Sequence, residues 1–289
     1  MSEKRRTVAI VGAAHVESLR CIAALEADAM VDFLLIGKPE EIQAMAAEEH
    51  LDIGRCIILP VQDDVEATVV AASAVAAGSV QVLMKGSVHT THFVKSILDK
   101  SLGLLLPGAV LSHVARVTTL WYHKPFFLTD AAININPDLD RKVALINNAL
   151  LVAHSCGIVQ PKVGIIGPVE TVNPRISSTS DAAQLAFLQQ NTGVFGNALV
   201  EGPFGLDVAL SAQAARIKGI KGEVPGDVDI LLLPNLDAAN CTLKAFTAVP
   251  GTRFAGIVIG ARIPVVLTSR SDSKESRLES LKLALSVST

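Results

Sequence analysis

The residues with the most chemical promise lie between Ile263 and Glu275, where an apolar run leads into Thr268, Ser269, Arg270, Ser271 and Asp272. That pattern reads as a strand running out into a polar turn, with a helix starting after it. Asp272 followed by Glu275 has the form of a capping box, in which an acid reaches back to the helix start. Ser269 and Arg270 would then stand at the carboxyl end of a strand, beside a helix N-terminus. Free backbone N–H groups and the helix dipole attract anions at such a place. A guanidinium there can meet a phosphate with two parallel hydrogen bonds. Taken locally, the same residues also serve as a simple helix cap with a solvated arginine.

Three other places share the strand-to-turn setting. Leu83 to Thr91 carries Lys85, Gly86 and His89, and Gly86 would let a ligand approach the backbone. Val200 to Asp207 sets Glu201 and Asp207 on either side of a Gly/Pro turn just past a strand, where a carboxylate can position a thiol or act as a base. Phe127 to Asn134 ends a strand at Asp130, four residues before Asn134. Each signal is weak alone, and four of them at strand ends make a ligand cleft the expectation.

The elements that must hold these residues follow from hydrophobic pattern. Strands are expected at Val8–Gly12, Asp32–Gly37, Cys56–Leu59 and Val80–Met84, separated by helices from Val16, Pro39 and Asp64. Strands joined by helices mean crossover connections and a mainly parallel sheet. From Leu111 the texture changes. Leu111–Thr118 and Phe126–Ala131 are joined by too short a link for a helix, so they read as an antiparallel pair. Leu139, Val143, Ile146, Leu150 and Ala153 form a helical stripe that Gly157 would end. Further strands are expected at Lys162–Gly167, Ala198–Glu201, Asp229–Leu233, Phe254–Gly260 and Pro264–Thr268. The fold class is therefore α/β in two lobes, residues 1–109 with 256–289 and residues 110–255, with helices on both faces of mainly parallel sheets.

Bulk composition narrows the function. Half of the 289 residues are hydrophobic and only 4% are aromatic, so Ala, Val, Leu and Ile must build the core. A formal charge of −3 with scattered Lys and Arg argues against nucleic acid as a partner. No apolar stretch approaches the ~20 residues of a membrane span, and no secretory signal is legible, so a cytoplasmic protein with no membrane contact is expected. Cys21, Cys56, Cys156 and Cys241 stand far apart, as reduced thiols do, and no metal-ligand spacing occurs.

At these residues the chain resembles the phosphate acetyl/butyryltransferase family, most of all its phosphate butyryltransferase branch. The motifs are Met84–His89, Leu111–Val114, Leu128–Ile135, Val169–Pro174, Glu201–Pro203, Gly226–Leu232, and Ala255–Ala261 continuing to Leu267–Ser273. The resemblance implies an isocitrate/isopropylmalate dehydrogenase-like fold with a cleft between lobes, and a homodimer or larger assembly. It implies transfer of a short acyl group, butyryl or acetyl, between coenzyme A and inorganic phosphate, directly and without a tightly bound cofactor or metal. Acyl-CoA, free CoA, phosphate and acyl phosphate are then the partners. Arg270 would hold the phosphoryl oxygens, and Ser269 would hydrogen-bond the thiolate or the developing oxyanion. Lys85, Gly86, His89, Asp130, Asn134 and Glu201 would contact substrate.

Two departures from the family pattern matter. The acetyltransferase branch places a carboxylate where Ser276 stands, which leaves Asp207 and Asp272 as alternative bases for the thiol. Lys95 stands where the family carries arginine, keeping the charge but not the forked geometry. The missing carboxylate also motivates a rival, a catalytically silent acyl-CoA or acyl-phosphate binding protein of the same fold. Arg270→Ala is expected to depress turnover by orders of magnitude in a protein that still folds, because a preorganised charge leaves the transition state. Steady-state rates near the parent value from folded Arg270→Ala would remove that residue from the mechanism.

Overall fold

The computed structural model of the chain describes residues 5–25, 30–267 and 273–287. The chain opens with β1 (Arg6–Val11), α1 (Val16–Leu25), β2 (Val31–Gly37), α2 (Pro39–Glu48), β3 (Ile57–Pro60), α3 (Asp64–Ala76), β4 (Val82–Lys85) and α4 (Thr90–Leu98). It continues through β5 (Ser112–Thr118), β6 (Phe126–Thr129), α5 (Leu139–Ser155), β7 (Lys162–Ile166), α6 (Ser177–Thr192) and β8 (Leu199–Phe204). Then come α7 (Leu206–Leu210), α8 (Ala212–Ile217), β9 (Ile230–Leu232) and α9 (Leu236–Thr247), and finally β10 (Arg253–Ile259), β11 (Val265–Val266) and α10 (Lys274–Val287). Two compact units result, Met1–Ala109 with Ala255–Thr289 and Val110–Phe254.

In the first unit the strand order is β3-β2-β1-β4-β11-β10. All neighbours are parallel except β10 and β11. Val8, Ala9, Ile10 and Val11 are wholly buried, as a continuous apolar run must be when both faces of its sheet are covered. Helix starts use local chemistry. Pro39 occupies the first turn of α2, where its missing N–H is not needed. The Asp63 side chain accepts from the Glu66 N–H at 2.9 Å and caps α3. At α10 the Ser273 hydroxyl accepts from the Ser276 N–H at 3.2 Å. The cap seen is thus one residue beyond the expected Asp272, which lies outside the described residues.

The second unit has the order β5-β6-β9-β7-β8. β5 and β6 are antiparallel, as the short Trp121–Pro125 connection requires, and the other pairs are parallel. Asp138 caps α5 by accepting from the Arg141 N–H at 2.9 Å, and Gly157, at φ +86°, follows its end. The buried face of α5 is centred on Leu145, Ile146, Ala149 and Val152, so Leu139 and Val143 sit at its margin. Lys142 falls inside that face and is paired with Asp181 of α6 at 2.5 Å. β8 runs on to Phe204, so Gly202 and Pro203, expected as a turn just past the strand, lie within it. Pro203 is tolerated there because the β7–β8 register shifts between Gly164 and Ile166.

The amino ends of β6, β7 and β9 are tied by charge. Asp227 lies 2.8 Å from His123 Nε2, 2.9 Å from Lys124 Nζ and 2.6 Å from Lys162 Nζ, while Lys124 also reaches Asp229 at 2.7 Å. Burial pushes the Asp227 carboxyl up, but the hydrogen bonds from Lys124, Lys162 and His123 outweigh it and hold the group below its ordinary range. A carboxylate whose folded pKa is depressed contributes stability above its unfolded pKa and loses it as pH falls. Asp227→Asn is therefore expected to be less stable than the parent at pH 7, with the gap shrinking below about pH 5. Denaturant titrations at pH 7 and about pH 2.5 check this, and an undiminished gap at the lower pH would refute it.

Candidate functional site

In the first unit the predicted residues Lys85, Gly86 and His89 fall at the carboxyl end of β4. The Lys85 ammonium donates to the carbonyls of Gly86 (3.0 Å) and Val88 (3.1 Å). The Gly86 N–H donates to Val11 and the Ser87 N–H to Gly12, at 2.8 and 2.7 Å. A Cβ on Gly86 would overlap the Gly12 carbonyl oxygen, and Gly12 itself sits at φ +72°. The space that glycine leaves is thus filled by the neighbouring loop, not kept open for a ligand as the sequence suggests. His89 is exposed at the start of α4, its side chain making no cap bond. Lys95 lies in the last turn of that helix, far along it from His89.

A basic edge surrounds this strand end. His15 follows β1, and Arg277, only 4% exposed, comes from α10. Burial lowers the His15 pKa, and the charges of Arg277 and Lys85 lower it further. Burial likewise pushes the Cys21 thiol up to about 11, so it is an inert packing group. Val266 of β11 pairs in parallel with Met84, so Leu267 leaves the sheet beside Lys85. Ser269, Arg270 and Asp272 lie outside the described residues, between Leu267 and the α10 cap Ser273. Neither His15 nor Arg277 was legible beforehand. An arginine in an amphipathic helix reads as solvated, and a lone histidine after a strand has no pattern.

In the second unit Asp130 and Asn134 are brought together. Asp130 Oδ1 accepts from the N–H groups of Ala132 (2.9 Å) and Ile133 (3.1 Å). Its Oδ2 accepts from the Asn134 N–H (3.1 Å) and Nδ2 (2.6 Å). Asn134 Nδ2 also donates to the Leu111 carbonyl at 2.7 Å, and its Oδ1 accepts from Arg141 at 3.3 Å. Four donors saturate a carboxylate that is 3% exposed, so it organises the loop after β6.

The other pair does not meet. Glu201 Oε1 accepts from the Glu223 N–H at 3.2 Å, against the Gly222 turn. Asp207 instead faces Lys218, 3.0 Å from its Oδ2, and the same ammonium reaches Glu170 at 2.8 Å. Glu170 in turn accepts from the Gly205 N–H at 3.2 Å. The hydrogen bond from Lys218 lowers the pKa of both carboxyls. A carboxylate held ionised in this way is a weaker proton acceptor, which counts against Asp207 as the base. Glu170 and Lys218 were not singled out from sequence. They are 48 positions apart and only folding joins them.

Among the described residues no group of three or more His, Cys, Asp or Glu side chains is placed to hold a metal, and no helix is long and apolar enough to cross a membrane. Removing the Asp130 acceptor should leave the Asn134 main-chain N–H and one of its two side-chain N–H groups buried and unmatched, the other keeping the Leu111 carbonyl, at about 1–3 kcal/mol each before relaxation. Asp130→Ala is therefore expected to lose about 2–3 kcal/mol in chemical denaturation. A loss under about 0.5 kcal/mol, the usual range of a surface change, would contradict the organising role.

Comparison with known proteins places these features in context. The family model described as phosphate acetyl/butaryl transferase matches residues 57–285. A phosphate butyryltransferase of Clostridium beijerinckii is 40% identical over 96% of this chain and 92% of its own. A phosphate acetyltransferase of Rhizobium meliloti is 38% identical over 87% of this chain and 79% of its own. The crystal structure of a branched-chain phosphotransacylase from Enterococcus faecalis superposes with a TM-score of 0.85 at 32% identity, covering 98% of both chains.

Proposed function

The chain belongs to the phosphate acetyl/butaryl transferase family, and from that premise we propose that it moves a short acyl group reversibly between coenzyme A and inorganic phosphate. The observation that carries the reading is the pair of cations Lys85 and Arg277, both acting on His15, at the ends of β1 and β4 and beside the chain leaving β11. Both substrates and the acyl phosphate are anions, and positive charge fixed at strand ends and helix starts favours them.

The chemistry is direct transfer. In the direction of acyl-CoA synthesis the CoA thiol gives its proton to a base, and the thiolate so formed attacks the carbonyl of the acyl phosphate. The carbonyl oxygen becomes an oxyanion, and collapse expels phosphate with the electrons of the C–O bond. Arg270 is assigned to the phosphoryl oxygens and Ser269 to the oxyanion or thiolate, on the Ser-Arg match to the family. Asp272 takes precedence over Asp207 as the base, since Lys218 already engages Asp207. Asp130 and Asn134 shape the loop that substrate meets, and Glu201, Gly86 and Lys85 support neighbouring turns. His89 is assigned to substrate contact, being exposed at the start of α4. The two-lobed dehydrogenase-like arrangement, the homo-oligomer and the cytoplasmic location belong to the same proposal.

Release of free thiol from acetyl-, propionyl- and butyryl-CoA, with and without inorganic phosphate, tests it. Phosphate-dependent release is expected, and the fastest substrate identifies the acyl group. No release from folded protein that binds CoA would overturn the transferase reading in favour of the silent binder.

A further inference from the structure

The reaction proposed above rests on positive charge in the first unit and leaves the acyl chain without a partner. The second unit offers one. Its strands β6, β9 and β7 are adjacent and parallel, so the segments after them leave the same edge of the sheet. Each of those segments carries an apolar residue: Ile135 after β6, Leu236 after β9 and Val172 after β7. Ile135 is 66% exposed and Val172 54%, while Leu236, on the intervening segment, is half-buried. Ligands of α/β sheets meet the chain at the carboxyl ends of strands.

Polar groups inside the two outer loops pin them. Asp130 accepts four hydrogen bonds within the loop that leads to Ile135, and the Leu236 N–H donates to the Ile135 carbonyl at 2.9 Å. Beside Val172, the Asn173 N–H donates to the hydroxyl of the fully buried Thr179 at 2.9 Å. The Arg175 N–H donates to the Asn173 side chain at 3.0 Å. A single exposed apolar residue is ordinary. Two large ones on loops already ordered by the fold, either side of β9, can take up an apolar group with little further loss of freedom. Lys218 is engaged by Glu170 and Asp207, and Arg141 by Asn134. An uncharged aliphatic group suits this rim better than a phosphate does.

We propose that Ile135 and Val172, with Leu236 on the intervening segment, pack against the acyl chain and set its preferred length. The inference rests on the transferase reading and deepens it. One methylene against an apolar surface discriminates by about 10–200-fold, so a longer chain gains more from these residues than acetyl does.

The test compares butyryl-CoA with acetyl-CoA in the parent, Ile135→Ala, Val172→Ala and Ile135→Leu. Phosphate-dependent thiol release gives kcat/KM, and calorimetry on the same proteins gives the affinity for each thioester. Both positions are exposed, so the variants are expected to fold. Ile135→Ala should lower the butyryl-to-acetyl ratio of kcat/KM about tenfold, the low end of what one methylene carries. Val172→Ala should lower it in the same direction. Ile135→Leu, which keeps the apolar volume, should restore most of the ratio. A role confined to loop structure would depress both substrates alike and leave the ratio where it was. A ratio unchanged or raised in both alanine variants of an active enzyme overturns the acyl assignment and leaves the transferase reading standing. If the parent binds acyl-CoA without turnover, the ratio of affinities decides in the same way. Absence of both binding and turnover overturns the two readings together.

Discussion

Parallel pairing of β1 with both β2 and β4 is the constraint from which the first unit follows. A parallel neighbour can be reached only by a crossover, so every loop of one sense gathers at one edge of the sheet. The interior strands are covered on both faces and carry no polar side chain that is not at an end. Chemistry is thereby confined to the carboxyl edge. There the loops after β1 and β4 approach so closely that Gly86 is required by the Gly12 carbonyl and Gly12 by the Ser87–Val88 turn. The same approach puts Lys85 and the buried Arg277 within electrostatic reach of His15.

In the second unit the edge is shaped by acids that satisfy their own surroundings. Asp130 is fully used by four N–H groups of its own loop, and Glu170 and Asp207 share Lys218. At the opposite edge Asp227 and Asp229 bind Lys124 and Lys162, so the amino ends of β6, β7 and β9 are fixed together. Acidic residues that look alike in a sequence thus serve different ends: loop formation, ion pairing and strand clamping. What separates them is the number of donors each one meets. A carboxylate that accepts several hydrogen bonds is a structural group, whereas a proton acceptor needs a free lone pair.

Local pattern determined much of this protein. Apolar runs placed the strands to within a few residues, the short Trp121–Pro125 link set the antiparallel β5–β6 pair, and Gly157 marked the end of α5. These features depend on neighbours close in sequence, where spacing alone carries the physics. The ordered motifs also pointed to the family that the comparisons show. Tertiary structure decided the rest. It extended β8 through Pro203 by a shifted register, turned Gly86 from a ligand approach into a loop contact, and joined Lys218 to Asp207 and Glu170. It also gathered Lys85 and Arg277 around His15. Each depends on groups tens to hundreds of positions apart, whose meeting is set by strand order and packing and leaves no periodic trace in the chain.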